Sequence, residues 1–264
     1  AIAALTVITE TCVDEWPGLY EYGIYRYDIY DRINGLWAEL ILAADFSDLE
    51  RSKLSRSLKK WCERGEPDYD LATLAIAEMW ELPALQKVLA DPGQRVNLTP
   101  GEQESLDTPL LPVRLEALKK QKKYEEYLAL AVAAGATTSF LEMLAYLDRV
   151  EEVMANADQI ENGQQALQVA EGLIEVEAMA EAITIARLGL TFKGENNYDY
   201  ELLKLIAELA RETEQPELHL ASLLKAVQVR SCLADFHQLV KISGEDWPFL
   251  KDDLFDHLLD FDDG

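Results

Sequence analysis

The chain has 264 residues, of which 49% are apolar and 28% charged, and its formal net charge is −25. This composition predicts a folded protein with a sizeable core, as one elongated domain or two smaller ones. Because so acidic a surface repels phosphate, direct binding to nucleic acid or to anionic lipid is disfavoured. No apolar run is long enough to cross a bilayer. We expect a cytoplasmic protein whose three cysteines are reduced.

The first predicted element is a helix over residues 22–41, where apolar side chains recur at helical spacing. They are Tyr22, Tyr25, Ile29, Ile33, Leu36, Trp37, Leu40 and Ile41. Asn34-Gly35 interrupts this stripe and fits either one helix or a turn between two shorter helices. Tyr27 and Tyr30 lie off the stripe and are candidates to contact a partner or another helix. The acids between these tyrosines argue against a base-stacking platform.

Capping signals predict the helices that follow. Ser47 and Glu50 form a Ser-x-x-Glu capping box that opens a helix running toward Trp61 and ending near Gly65. Asp70 is expected to cap the next helix, and Pro83 to occupy the first turn of another. A second capping box extends from Thr99 to Glu102. Since no stretch shows sustained alternation of β-branched residues, the sequence predicts an all-α fold.

From about residue 112 the predicted helices come in pairs, as in helical-hairpin repeats of the tetratricopeptide-like or α-solenoid kind. The second helices align at Tyr124, Val150 and, more weakly, Val176, with starts 26 residues apart. A fourth, longer unit begins its second helix at Pro216. We therefore predict an N-terminal helical bundle over residues 1–110 and a helix-pair repeat subdomain over residues 111–264, packed continuously on it.

A lysine cluster formed by Lys119, Lys120, Lys122 and Lys123 puts four bases within five residues of this acidic chain. The sequence allows an anion-binding or partner-binding patch here. It favours a turn between two helices, in which Lys119 and Lys120 offset the dipole at the end of the first. Tyr124, Tyr127, Leu128 and Ala131 would then form the buried face of the second helix, and Gly135 would end it.

No motif with a recognisable chemistry is present. His219, His237 and His257 lack the spacing of a helical zinc site, and Cys232 with His237 supplies two of the four ligands that a closed site needs. The tail from Asp260 to Gly264 does not fit a calcium loop. Adjacent acids on a helix point in different directions and do not form a catalytic pair. We expect no catalytic residue, no cofactor and no metal site.

Several short motifs in their order resemble the long acidic helical region that follows the zinc motif in bacterial SWIM zinc finger proteins. They are GLWAE (35–39), AAD (43–45), AEMW (77–80), LPAL (82–85), KYEEYLALA (123–131), RVEE (149–152) and ARLGL (186–190). The defining motif of that family, C-x-C followed by C-x-H, is absent, so no zinc-binding role transfers to any residue of this chain. The resemblance implies a helical scaffold beside the zinc module, with a Swi/Snf-type helicase-like ATPase as partner.

These observations lead to one expected function and one alternative. The expected function is a non-enzymatic scaffold for protein–protein interaction, cut from a larger SWIM zinc finger protein. The alternative is an acidic DNA mimic that blocks a basic nucleic-acid-binding surface, since residues 136–264 carry nine bases against 26 acids.

Overall fold

The computed structural model describes residues 1–19, 26–44, 46–65, 69–94, 96–192 and 198–260. Packing divides the chain into two compact units, here called unit 1 (Ala1–Ala136) and unit 2 (Thr137–Gly264). The predicted subdomain boundary near residue 110 stays a prediction. The described helices of unit 1 are α1 (Ile2–Leu19), α2 (Arg26–Ala43), α3 (Asp48–Gly65), α4 (Asp70–Glu78), α5 (Pro83–Ala90), α6 (Pro100–Glu104), α7 (Leu111–Lys120) and α8 (Tyr124–Ala134).

Unit 2 is also built from helices, and the described residues of neither unit include a strand. Its helices are α9 (Thr137–Tyr146), α10 (Val150–Ala155), α11 (Gly163–Glu175), α12 (Met179–Gly189), α13 (Asp199–Glu212), α14 (Pro216–Val229), α15 (Leu233–Ser243) and α16 (Trp247–Asp260). The predicted all-α class is therefore confirmed for the described part of the chain.

Three of the predicted helix starts follow from local capping chemistry. The Ser47 hydroxyl accepts from the Glu50 amide at 3.4 Å, and the Glu50 carboxylate accepts from the Ser47 amide at 2.9 Å. Thr99 and Glu102 form the same reciprocal box at α6, and Pro83 is the first residue of α5. Asp70 departs from its prediction, because it is the first residue of α4 and Tyr69 holds the cap position.

A side chain from α2 caps α4 instead. Asn34 is buried, and its side-chain oxygen accepts from the Ala72 amide at 2.9 Å while its side-chain nitrogen donates to Asp70 at 2.9 Å. The α2 helix runs unbroken through Asn34-Gly35, so the first of the two interpretations of that dipeptide is correct. Asn34 therefore ties two helices together at a point where the sequence suggested an interruption.

Aromatic side chains fill the core of unit 1. The rings of Trp37 and Trp61 lie 5.7 Å apart, Trp61 lies 6.3 Å from Tyr69, and Tyr69 lies 6.4 Å from Tyr30. The buried Trp37 indole donates to the Thr9 hydroxyl at 2.9 Å, which fixes α1 against α2. Tyr22 and Tyr25, which the sequence places in the same stripe, lie outside the described residues.

Small residues allow close helix packing in unit 2. The helices α9 and α10, α11 and α12, and α13 and α14 contact each other as pairs, and α11 also contacts α9 and α13. A Cβ atom added at Gly189 would lie 2.7 Å from the Ala166 Cβ and 2.8 Å from Leu202. Only glycine therefore fits where α12 meets α11 and α13.

The turns between successive helices share one backbone geometry. A residue with left-handed φ stands two positions before a helix start at Lys122 (59°), Asp148 (58°), Glu177 (62°) and Glu214 (56°), and at Gly135 (72°). The amide after each bonds a carbonyl five residues back, as in Lys123 to Leu118 and Ala178 to Leu173. One turn type thus recurs from α7 to α14.

Helix starts are evenly spaced over part of this region. The helices α7 to α11 each begin thirteen residues after the previous one, and the predicted second-helix starts at Tyr124 and Val150 are confirmed. The third predicted start is wrong, because α12 begins at Met179 and Val176 follows the end of α11. The cause is the length of α11, which has 13 residues where α9 has 10.

Candidate functional site

The lysine cluster lies at the turn between α7 and α8. Lys119 and Lys120 end α7, Lys122 has the left-handed φ of the turn, and Lys123 immediately precedes α8. Tyr127, Leu128 and Ala131 are buried and Tyr124 is half-buried, so the predicted inner face of α8 is largely confirmed. Gly135 ends α8 in a left-handed conformation, as its sequence position predicts.

Lys120 makes a specific contact with another helix. Its ammonium group lies 2.5 Å from Glu39 of α2 and 3.5 Å from Glu116 of α7. The hydrogen bond to Glu39 raises the pKa of Lys120 above its ordinary value. The ammonium group therefore stays charged, and two carboxylates already neutralise it. This pairing makes Lys120 a poor ligand for a further anion.

The Lys120–Glu39 pair stands at the rim of an apolar groove. This groove has a volume of about 370 Å³ and lies between α1, α2 and α7. Its wall includes Leu5 and Ile8 from α1 and Leu36 and Leu40 from α2. Ile8 is 51% exposed and Leu36 is 45% exposed, whereas the stripe pattern predicted a buried Leu36. The groove thus presents large aliphatic side chains that the described chain does not cover.

The chemistry of the groove suits binding better than catalysis. Glu39 and Lys120 are its ionisable side chains, and they pair with each other at the rim. A catalytic site needs a nucleophile, a proton donor or acceptor and a group that stabilises developing charge, all converging on one point. The lining offers an apolar surface with one oriented ion pair, which is the composition of a contact surface.

The two tyrosine candidates have different outcomes. Tyr30 is 5% exposed and its hydroxyl donates to the Cys12 carbonyl at 3.1 Å. Tyr30 therefore contacts another helix and has no surface left for a partner, which corrects its place among the partner-contact residues. Tyr27 belongs to α2, but its side chain lies outside the described part of the structure.

Among the side chains that the structure describes, histidines and cysteines do not gather into a metal site. His219 is buried in α14, where burial lowers its pKa, and Gln238 lies 3.4 Å from its ring. Cys232 stands at the start of α15 as a free thiol. Among the described residues, no group of three His, Cys, Asp or Glu side chains is close enough to hold a metal ion.

A basic face on α3 is a feature that the sequence reasoning missed. Residues 51–60 contain five bases and no acid, a signal that was readable from the sequence. Lys53, Arg56 and Lys60 are exposed, and none makes an ion pair with a described residue. By contrast, Arg51 pairs with Glu81 at 3.0 Å and Arg64 pairs with Asp14.

Comparison with known proteins adds no relative: no family model, no curated protein and no solved structure matches the chain significantly. The resemblance to SWIM zinc finger proteins therefore rests on the motifs alone. The described helices include none with both the length and the apolar character needed to span a membrane. Fold and surface geometry define the class of protein as an all-α helical protein with an uncovered apolar groove.

Proposed function

We propose that the chain is a non-enzymatic helical scaffold for protein–protein interaction and that it belongs to a larger SWIM zinc finger protein. The apolar groove between α1, α2 and α7 carries this proposal. Burying an exposed aliphatic side chain such as Ile8 or Leu36 stabilises an interface by about 1–2 kcal/mol. An ion pair at the rim, here Lys120 with Glu39, adds orientation more than affinity.

The helix pairs of unit 2 support the finer architecture that we propose, a tetratricopeptide-like or α-solenoid repeat preceded by a helical bundle. In such arrays each pair packs on the next and leaves an extended surface for partners. The contacts of α11 with α9 and α13, and the recurring left-handed turn, are the features that favour it. By family analogy, the partner is a Swi/Snf-type helicase-like ATPase.

The test is a pull-down of this ATPase by the full chain, with crosslinking to locate the contact. We expect crosslinks near α1 and α2, and loss of capture by the double variant Ile8→Glu/Leu36→Glu. The matched control is Val132→Glu/Val229→Glu, which places the same charge on two apolar side chains, 45% and 41% exposed, that do not line the groove. Equal capture by both variants would contradict a role for the groove, and no capture by the wild type would contradict this partner.

A second candidate function, the acidic DNA mimic, is favoured by one observation. The charge asymmetry follows the division into units, because unit 1 has 15 bases and 23 acids while unit 2 has nine and 26. A mimic would displace DNA from a basic protein, and the displacement would weaken steeply with salt. A competition assay with a labelled duplex and a basic DNA-binding protein measures this. Displacement that is insensitive to salt would exclude the mimic.

A further inference from the structure

The exposed face of α3 carries an ordered stripe of side chains. Leu49, Lys53, Arg56 and Lys60 follow one another at spacings of four, three and four residues, which places them on one side of the helix. We call this set the cationic stripe. Leu54, Leu58 and Trp61 are buried on the other side. Leu49 is 62% exposed, so the stripe combines one apolar side chain with three cations.

Unit 2 carries a stripe of opposite charge. Glu245, Phe249 and Asp252, here called the anionic stripe, are exposed at spacings of four and three residues, Glu245 in the single 3-10 turn before α16 and the other two in its first turns. Phe249 is 79% exposed. The edge-to-face contact of Trp247 with Phe236, at 5.5 Å, and the burial of Leu254 fix the opposite side of α16 in the core. Phe249 is therefore held outward between Glu245 and Asp252, the second of which lies 4.0 Å from the Lys251 ammonium group.

We propose that a second copy of this chain docks its anionic stripe on the cationic stripe of α3. Each stripe supplies one uncovered apolar side chain and charges of one sign, so the contact would bury Leu49 with Phe249 and pair an acid beside Phe249 with Lys53 or Arg56. Because the two surfaces differ, a reciprocal exchange of stripes closes a two-fold dimer, whereas a head-to-tail contact gives a ring or a longer chain of copies. This inference is independent of the partner proposed for the groove.

A nucleic acid fits the cationic stripe less well than a second copy does. The stripe extends from Leu49 to Lys60, eleven steps along the helix, which is about 16 Å at 1.5 Å per step. Asp48 and Glu50 stand at one end of the basic segment and Glu63 at the other. A continuous polyanion would run past these carboxylates, whereas an acidic segment shorter than the stripe can contact Lys53 and Arg56 without reaching both ends. Leu49 also has no counterpart on a phosphate backbone.

The test measures the mass of the full chain by sedimentation equilibrium over a range of concentrations. We expect the average mass to rise with concentration in about 0.1 M salt and to return to the monomer in about 1 M salt, because the Debye length falls from about 10 Å to about 3 Å. Charge reversal by Lys53→Glu, Arg56→Glu and Lys60→Glu should weaken association about tenfold or more. The milder change of the same residues to Gln is used if the reversed variant fails to fold.

Two further measurements decide between a specific contact and a general effect of charge. The matched control is Lys119→Glu, Lys122→Glu and Lys123→Glu, which changes the net charge equally and should leave association intact. Mixing the charge-reversed α3 variant with Glu245→Lys/Asp252→Lys should restore a mixed complex that neither forms alone. A wild-type chain that stays monomeric in low salt overturns the proposal. Three other results would also overturn it. They are an equal loss of self-association in the lysine-cluster control, no complex between the two mixed variants, and a monomer that binds a labelled duplex through the cationic stripe.

Discussion

Units 1 and 2 are both helical, but different interactions order them. In unit 1, buried aromatic rings and side-chain hydrogen bonds join helices that are far apart in sequence, such as Trp37 to Thr9 and Asn34 to Ala72. In unit 2, small residues let neighbouring helices approach, so that a Cβ atom at Gly189 would lie 2.7 Å from that of Ala166. The left-handed turn is common to both units, since Lys122 and Gly135 belong to unit 1. Unit 1 therefore depends on a few large side chains, whereas unit 2 depends on the space between backbones.

The largest expected effect is in the aromatic core of unit 1. Replacing the fully buried Trp37 by Ala should lower the free energy of unfolding by about 4 kcal/mol, because it opens a cavity and removes the donor to Thr9. Urea denaturation followed by circular dichroism measures the change. The control Leu36→Ala on the same helix should cost less than about 1 kcal/mol, since Leu36 is 45% exposed. Similar losses in both variants would contradict the aromatic core as the main source of stability.

The second-largest expected loss of stability comes from removing a buried arginine that forms an ion pair in unit 1. Arg114 is 1% exposed and its guanidinium donates to Glu78 at 2.8 Å and to the Met79 carbonyl at 3.1 Å, which closes the end of α4. Changing Arg114 to Met should cost about 3 kcal/mol, because a carboxylate and a carbonyl lose their donor. Thermal unfolding of this variant and of Arg114→Met/Glu78→Gln checks the cause. Adding Glu78→Gln should recover part of the loss, and no recovery would count against the ion pair.

In unit 2, close helix packing is tested by adding one methyl group at Gly189. Changing Gly189 to Ala should destabilise the protein by about 2 kcal/mol, because the new Cβ would lie 2.7 Å from that of Ala166. The matched control is Gly35→Ala in α2, where an added Cβ meets nothing within 4 Å. That change should stabilise the protein by about 1 kcal/mol through helix propensity. Urea midpoints of the two variants should therefore move in opposite directions, and a shift of both in one direction would refute the contrast.

The smallest expected effect is a dependence on pH that comes from the end of unit 2. Asp235 of α15 is buried and accepts from Lys204 at 2.6 Å and from Tyr200 at 2.5 Å. Burial alone would raise the pKa of Asp235, but the bonds from Lys204 and Tyr200 outweigh it and leave this pKa below its ordinary value of 3.8. Its contribution to stability is therefore complete above that value and is lost as pH falls through the lower pKa of the folded state.

The variant Asp235→Asn tests this cause. It should be slightly less stable than the wild type at neutral pH and should lose less stability between neutral and acidic pH. Urea denaturation at a series of pH values measures both. An acid dependence identical to that of the wild type would assign the effect to other carboxylates.

Local features were predictable because the residues that cause them are neighbours in the chain. The Ser47 and Thr99 boxes, Pro83 at the start of α5 and Gly135 at the end of α8 each act within one helical turn. The start of α12 was predicted at the wrong residue, because the sequence around Val176 does not show that α11 is about one turn longer than α9. The basic face of α3 was also predictable from a short segment, because residues 51–60 contain five bases and no acid.

The apolar groove was not predictable, because it needs three helices that are distant in the chain. Periodicity assigned Leu36 to a buried stripe, since it marks a side chain as apolar but does not tell which neighbour covers it. In the structure α1 and α7 leave Leu36 half-exposed, and Lys120 meets Glu39 across 81 residues of sequence. Tyr30 shows the converse, because it packs against the ring of Tyr69, just before α4, and donates to the Cys12 carbonyl of α1.

Periodicity, capping residues and charge are properties of short segments, and they were enough to predict a helical, acidic chain without a recognisable catalytic motif. Packing between helices was needed for Asn34 to cap a distant helix, for Tyr30 to be buried and for Lys120 to reach the groove. These outcomes depend on which helix surfaces contact each other. Close packing between helices involves side chains from several segments, so no single segment predicts it.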